Sequence, residues 1–269
     1  MTNKKRMPLL FVGHGSPMNA LAANKFTQTL KTLGESIERP SSILCISAHW
    51  RTEGTWVTAM EQPKTIHDFF GFPKSLFKMQ YPAKGSPELA ELVCDVVKVA
   101  AVQKDQNLWG LDHGTWSVLH HMYPKADIPV VQLSLFMKKP GDYHFQIGEN
   151  LKALRDRSVL IVGSGNIVHN LNNMTWEPDA EPFDWALEFD EWCKQKMMDR
   201  DYSALTHQFL DSQAGVLSVP KPDHYYPLLY VLGASDKTDE LSFVYEGLEH
   251  GSLSMRAVLL SGEPAGQFP

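Results

Sequence analysis

The chain has 269 residues, of which 43% are hydrophobic and 21% are charged, and its formal net charge is -6 at pH 7. This length and composition suit one large folded domain or two small ones, and they exclude an intrinsically disordered chain. The negative balance provides no basic field to attract nucleic acid or an anionic membrane surface. We therefore expect neither nucleic acid nor a membrane among the partners.

Targeting patterns and cysteine positions also narrow the cellular location of the protein and the kinds of site that it contains. No apolar run approaches the roughly 20 residues of a membrane span, and the apolar run after the basic start is too short for a signal peptide. The sequence predicts a cytoplasmic protein. Three cysteines (Cys45, Cys94 and Cys193) are far apart and form no CxxC pair, so we expect neither a disulfide framework nor a thiolate zinc site.

Short apolar runs alternate with amphipathic stretches along the chain. The first run, PLLFVG at 8–13, is typical of a strand buried on both faces. Ser86-Pro87-Glu88 has the composition of a helix start. In chain order we expect strand 8–13, helix 22–37, strands 42–48 and 55–60, helix 86–102, strand 128–134, helix 141–154, strand 158–165, helix 183–198, and an antiparallel pair formed by LSFVYEGLE and SLSMRAVLL.

This alternation predicts an α/β fold: one domain, spanning 1–269, with a mostly parallel central sheet flanked by helices. The last strand pair is expected to extend one edge of the sheet. The segment 61–85 is rich in Pro, Gly and Phe and has no clear period, so it is a candidate flap. Its stretch HDFFGFP (67–73) is interpreted either as a hydrophobic lid or as an ordinary loop covering the core.

Three histidines follow the carboxyl ends of predicted strands, namely His14, His49 and His169. Parallel strands end at one common rim where ligands bind, so these imidazoles are expected to converge. His113 and His224 lie in loops of unusual sequence and are further candidates. Neutral imidazole is a good ligand for zinc, iron, nickel and copper, and the cluster therefore indicates a metal pocket at the strand ends.

Simpler interpretations exist for each feature. A single buried histidine is more often a hydrogen-bonded core residue than a ligand, and we assign surface or packing roles to the remaining six: His67, His120, His121, His144, His207 and His250. GSGNIV at 163–168 is only part of a dinucleotide fingerprint, and its glycines are better explained by a tight backbone turn. Ser16 beside His14 lacks the elbow and the third residue of a hydrolase triad.

Five motifs occur in one order along nearly the whole chain: GHGSP, SAHW, LDHGTW, GSGNIVHN and PDHYYPL. In this combination the sequence resembles the DOPA 4,5-dioxygenase family of class III extradiol ring-cleaving dioxygenases, which is related to the protocatechuate 4,5-dioxygenase catalytic subunit. The resemblance implies a single α/β domain with one divalent metal, zinc or iron, in a pocket at the strand ends.

The resemblance also implies roles for the five histidines of these motifs. His14 and His49 would be the first two metal ligands, and His224 would supply the third. His169 would be either an acid/base group beside the metal or a fourth ligand in zinc-loaded forms, and His113 would line the pocket and contact substrate or oxygen. The wider superfamily commonly includes a carboxylate ligand, for which Asp223 and the more distant Glu246 are available.

The implied activity is insertion of O2 into a catechol such as DOPA, giving a muconic semialdehyde. Two alternatives use the same pocket: a zinc-dependent hydrolase-type enzyme, and a non-catalytic protein that binds a metal or a peptide. The sequence gives no indication of the oligomeric state.

Overall fold

The apolar runs of the sequence form the strands of an eight-stranded sheet, and the amphipathic stretches cover its two faces. A computed structural model describes residues 6–262. The strands are β1 (Leu9–Gly13), β2 (Ser42–Thr52), β3 (Thr55–Thr58), β4 (Lys64–Thr65), β5 (Val102–Asp105), β6 (Gly110–Leu111), β7 (Val130–Phe136), β8 (Val159–Gly165), β9 (Glu240–Tyr245), β10 (Leu248–Glu249), β11 (Leu253–Ser254) and β12 (Ala257–Ser261). The helices are α1 (Lys25–Ser36), α2 (Lys74–Phe77), α3 (Pro87–Val96), α4 (His113–Met122), α5 (Gly141–Leu151), α6 (Asp184–Met198), α7 (Tyr202–His207), α8 (Gln213–Ser218) and α9 (Tyr226–Gly233).

The strand order across the large sheet is β5-β3-β7-β2-β8-β1-β12-β9. Pairing is parallel between β7 and β2, β2 and β8, β8 and β1, and β3 and β5, whereas β12 is antiparallel to both of its neighbours. The predicted α/β fold with a mostly parallel sheet is therefore confirmed. The two C-terminal strands extend one edge of the sheet, as expected.

The central strands read as unbroken apolar runs because both of their faces are covered. In β1, Leu9 and Phe11 belong to one core cluster, and Leu10 and Val12 belong to the other. Helices α3, α5, α6 and α9 pack on the first face, and α1 and α4 pack on the second. Successive side chains of a strand point to opposite faces, so each core receives alternate residues.

Several predicted bounds need correction. The helix expected over 86–102 ends at Val96, and residues 102–105 form the edge strand β5, whose mostly polar and exposed residues give a weak strand signal. The side chain of Asn150 accepts hydrogen bonds from the backbone of Lys98 and Val99 and so holds the intervening turn. Helix α1 begins at Lys25 rather than at residue 22 because Asn24 forms a capping box with Thr27.

Other differences concern elements that sequence patterns did not indicate. Helices α7 and α8 were not predicted, and each has only six residues, too few to show a helical period. The segment 61–85 contains β4 and α2, and β4 pairs with β6. The expected domain bounds, 1–269, include residues 1–5 and 263–269, which lie outside the described residues.

A buried ion pair fixes the end of the sheet opposite the strand carboxyl ends. Arg155 and Asp239 are almost fully buried and meet through two contacts of 2.7 and 2.6 Å. Arg155 also donates to the backbone oxygens of Met7 and Ala234. One side chain therefore links the start of β1 to the end of α9.

We predict that Asp239→Ala lowers the free energy of unfolding by about 3–5 kcal/mol, because it leaves a buried guanidinium unpaired. Urea denaturation followed by circular dichroism measures this loss. The matched control is Glu53→Ala, which removes the exposed partner of Lys138 and should change stability little. Equal losses in the two variants would contradict the prediction.

Candidate metal centre

Three neighbouring parallel strands form the floor of the site: β1 and β8 end at the same level, and β2 runs past them. Gly13 of β1 pairs with Gly165 of β8, and Ser47 of β2 pairs with Ser164 of β8. His14 follows β1 directly, so it emerges at this rim. The structure thus brings the rim histidines together, as the alternation of strands predicted.

His49 lies inside β2 and not just beyond its end, which corrects the predicted strand bound of residue 48. Strand β2 continues to Thr52, and its register with β7 shifts between Ile46 and Arg51. Such an irregularity re-aims side chains at the end of a strand. The irregularity explains why the ring of His49, although His49 lies within a strand, faces the other rim histidines.

Close backbone contact places His224 against the end of β8. A Cβ atom on Gly165 would lie 2.1 Å from the backbone oxygen of His224, so only glycine fits there. The backbone nitrogen of Asn166 donates to that same oxygen at 2.9 Å. The glycines of GSGNIV therefore allow a second segment of chain to approach, which agrees with the backbone interpretation of this motif.

The tautomer of His14 follows from its contact with Ser164. The Ser164 hydroxyl donates its proton to the backbone oxygen of Gly114 at 2.5 Å. At 2.9 Å from His14 Nδ1, the same hydroxyl oxygen can then only accept. His14 therefore carries its proton on Nδ1, and its Nε2 lone pair is free.

His49 and His224 are held in the same way by carboxylates. His49 Nδ1 lies 3.3 Å from Asp68 Oδ2, and His224 Nδ1 lies 3.0 Å from Asp223 Oδ1. Hydrogen bonding and charge from His224, and the charge of Arg51, outweigh the effect of burial and lower the pKa of Asp223 to about 2. A carboxylate only accepts, so this contact places the His224 proton on Nδ1 and leaves its Nε2 free. The longer contact of His49 with Asp68 favours the same arrangement for His49.

The three rings bring their nitrogens together in one place. One nitrogen each from His14, His49 and His224 fit within 4.8 Å of one another, and the Nε2 atoms of His14 and His49 are 3.0 Å apart. Burial, followed by the charges of neighbouring histidines, lowers the pKa of both His14 and His49 well below the usual 6.5. Neutral rings offer their nitrogen lone pairs to a metal, so this cluster of three histidines fits a bound cation.

His169 is placed differently from these three histidines. Its ring stacks on that of His224, with centroids 3.5 Å apart and planes 3° from parallel. Its backbone nitrogen donates to Ser218, and its backbone pairs with Leu253. His169 therefore borders the same space, but its ring lies in a separate plane from that of His224.

His113 is the first residue of α4, although the sequence analysis placed it in a loop. Asp112 is the N-cap residue of this helix and is fully buried, where its carboxylate accepts from Ser47 and Gln132. His113 Nδ1 lies 2.9 Å from Asp68 Oδ1, and its ring centroid is 3.9 Å from that of His49. The helix start thus fixes a fourth histidine beside the three that converge.

Comparison with known proteins supports the same interpretation. Residues 9–255 match the family described as the catalytic LigB subunit of aromatic ring-opening dioxygenase. The chain belongs to this family. It is therefore an extradiol ring-cleaving dioxygenase, a metal-dependent enzyme that acts on an aromatic substrate with O2.

Individual relatives resemble this dioxygenase over nearly their whole length. A protein of Escherichia coli K12 named 4,5-DOPA dioxygenase extradiol is 49% identical over 256 residues, which cover 94% of each chain. A protein of the same name from Beta vulgaris is 36% identical over 91% of this chain and 92% of its own. The crystal structure of an uncharacterized E. coli K12 protein aligns with a TM-score of 0.84 and 45% identity, covering 95% of this chain and 100% of its own.

Sequence reasoning missed the side chains that orient the histidines of the dioxygenase. Asp68 lies in the candidate flap, within HDFFGFP, and its carboxylate contacts both His49 and His113. Ser164 is within GSGNIV and was interpreted only for its neighbouring glycines. Glu246, considered as a distant carboxylate ligand, instead pairs with Arg256 and Lys194. Within residues 6–262, no helix is long and apolar enough to cross a membrane.

We predict that Asp68→Asn weakens metal binding by about 10–100-fold, because the neutral amide removes the negative charge that lies beside Nδ1 of both His49 and His113. Competition with a chelator, using zinc as the probe, measures the dissociation constant without any turnover. Asp127→Asn, which alters an exposed carboxylate paired with Arg39, is the control and should bind zinc normally. Unchanged affinity in a folded Asp68→Asn protein would show that Asp68 does not orient the ligands.

Proposed function

We propose that His14, His49 and His224 hold one Fe(II) ion, and that the enzyme cleaves the ring of a catechol such as DOPA. The observation that carries this proposal is the clustering of one ring nitrogen each from His14, His49 and His224, with an oxygen of Ser164, Asp68 or Asp223 beside Nδ1 of each ring. Two relatives, 49% and 36% identical, are named for DOPA. Their names support a substituted catechol as the substrate.

Iron suits the reaction better than zinc. Extradiol cleavage breaks the ring C–C bond beside the diol and leaves both atoms of O2 in the product, a muconic semialdehyde. Bound Fe(II) would acidify the catechol hydroxyls and pass electron density from the ring to O2, whereas zinc has no redox chemistry. Asp223 is turned toward His224 and Arg51, which favours a ligand set of three histidines without a carboxylate.

His169 is proposed as the acid/base group. A metal binds in the plane of an imidazole, and a ring stacked 3.5 Å from His224 has its own lone pairs in a parallel plane. This geometry favours the acid/base role over that of a fourth ligand. Burial, and then the charge of His224, lowers the pKa of His169, so the ring is neutral near pH 7 and able to accept a catechol proton.

His113 and the flap are proposed to position the substrate. His113 Nδ1 lies 2.9 Å from Asp68 Oδ1 without the alignment of a hydrogen bond, and the ring packs beside that of His49, so His113 can offer a ring nitrogen to a catechol hydroxyl. Phe69 of the flap packs edge-on against His113 at 5.5 Å, and this contact supports a role for HDFFGFP in excluding water. A dry site strengthens the electrostatic interactions that stabilise developing charge. The cytoplasmic location stays a prediction from the sequence.

A zinc-dependent reaction with a metal-bound water is the second candidate. Three neutral histidines are also the ligand set of catalytic zinc in carbonic anhydrase, where the fourth position holds water. The two candidates differ in one requirement, since only ring cleavage consumes O2.

We predict that metal-free protein reconstituted with Fe(II) in the absence of oxygen will, once air and DOPA are added, take up one O2 per DOPA and form a yellow product. An oxygen electrode and absorbance spectroscopy follow the two signals, and 4-methylcatechol serves as a second substrate. The zinc-loaded protein should take up no O2. If one metal binds tightly but no catechol causes O2 uptake, the zinc enzyme or a binding protein becomes the better hypothesis.

We predict that His169→Ala lowers kcat by about 10²–10⁴-fold and leaves one iron bound per chain, because a positioned acid/base group is lost while the ligands remain. Steady-state oxygen uptake and metal analysis provide the two readouts. His207→Ala, in the short helix α7, is the control. Full turnover in His169→Ala would contradict the acid/base role, and loss of iron would indicate a fourth ligand.

A further inference from the structure

Arg51 lies near the rim of the metal centre, two residues after His49 in β2. Its guanidinium contacts Asp223, the carboxylate that holds His224, so the side chain reaches the site from the end of β2. Its side chain is 51% exposed, whereas the side chain of its partner Asp223 is only 8% exposed. The Arg51 guanidinium is thus held on one side by buried Asp223 and exposed to solvent on the other.

The contacts of Arg51 connect it to a candidate ligand. Its Nη1 donates to Asp223 Oδ2 at 2.9 Å, and the other oxygen of Asp223 accepts from His224 Nδ1. Only one carboxylate and one imidazole ring therefore separate the guanidinium from the place where the three ring nitrogens meet. The distance between the histidine cluster and Arg51 suits a charged group on a short side chain of a catechol ring bound at the histidines.

The guanidinium has donors to spare. Among the described residues, Asp223 is the one hydrogen-bond partner of the Arg51 side chain, and it uses a single N–H of five. By contrast, Arg155 and Arg256 are buried and each contacts several acceptors. Arg51 therefore presents an oriented cationic fork to the entrance of the site, and such a fork matches a carboxylate.

We propose that Arg51 binds a carboxylate on the side chain of the substrate, so that the preferred substrates are catechols carrying an acid on a short aliphatic chain. This inference rests on the proposed ring-cleaving function. The two carboxylates beside the histidines, Asp68 and Asp223, already accept from N–H groups. Arg51 therefore recognises the carboxylate of the substrate side chain, and binding does not require an amino group on that chain.

The experiment compares four catechols in the iron-loaded enzyme: DOPA, 3-(3,4-dihydroxyphenyl)propanoate, dopamine and 4-methylcatechol. For the native protein we expect kcat/KM to be higher for the two acids than for dopamine and 4-methylcatechol. Arg51→Gln should lower kcat/KM for both acids by about 10–100-fold, mainly through KM, because a charge-assisted contact is lost. The values for dopamine and 4-methylcatechol should stay within about twofold.

Two variants control for other effects. Arg39 precedes β2, at the end of that strand opposite Arg51, and it pairs with exposed Asp127. Arg39→Gln should leave kcat/KM unchanged for all four catechols. Arg51→Lys keeps the charge but not the fork, so it should give KM values for the acids between those of the native protein and Arg51→Gln. An equal loss for all four catechols in Arg51→Gln would overturn the inference, because it would indicate an effect through Asp223 and His224.

A binding measurement separates this inference from the proposed function. Calorimetric titration of zinc-loaded protein with 3-(3,4-dihydroxyphenyl)propanoate and with 4-methylcatechol requires no turnover. We expect the acid to bind about tenfold more tightly or better, and this preference to disappear in Arg51→Gln. Equal affinities in the native protein would overturn the carboxylate site, whereas preference for the acid without O2 uptake by the iron form would contradict only the proposed function.

Discussion

The metal centre depends on one repeated interaction, the hydrogen bond from an imidazole Nδ1–H to a fixed oxygen. Ser164 and Asp223 accept such a bond from His14 and His224, and an oxygen of Asp68 lies 3.3 Å from Nδ1 of His49. The Nε2 atoms of His14 and His49 then lie 3.0 Å apart. The oxygens beside the three rings therefore set the orientation of the clustered histidines.

The sheet supplies the rigidity that this interaction requires. Strands β2, β8 and β1 are adjacent and parallel, and β8 and β1 end at the same level beside β2, so residues distant in sequence meet at one rim. Gly165 lets the backbone of His224 rest directly on β8. Because these strands are buried on both faces, the rim cannot shift without disturbing two cores.

The flap links the entrance of the site to its ligands. Asp68 contacts His49 and His113 and also accepts from the backbone nitrogen at the start of α4. Movement of the segment 61–85 would therefore alter both the metal site and the group proposed to contact substrate. On the other side, Arg51 and Asp223 couple the rim to His224, so recognition of the substrate side chain and orientation of a ligand share one carboxylate.

The sequence alone determined the fold class and the rim histidines, because apolar runs and their alternation with helical patterns are local signals. It did not determine β5, whose polar edge residues resemble a helix or a loop, or the six-residue helices α7 and α8. It also could not identify Asp68 or Ser164, which act through contacts with residues far along the chain. Only the tertiary structure decided which nitrogen of each ring is free, because a tautomer is set by the acceptor that folding places beside it.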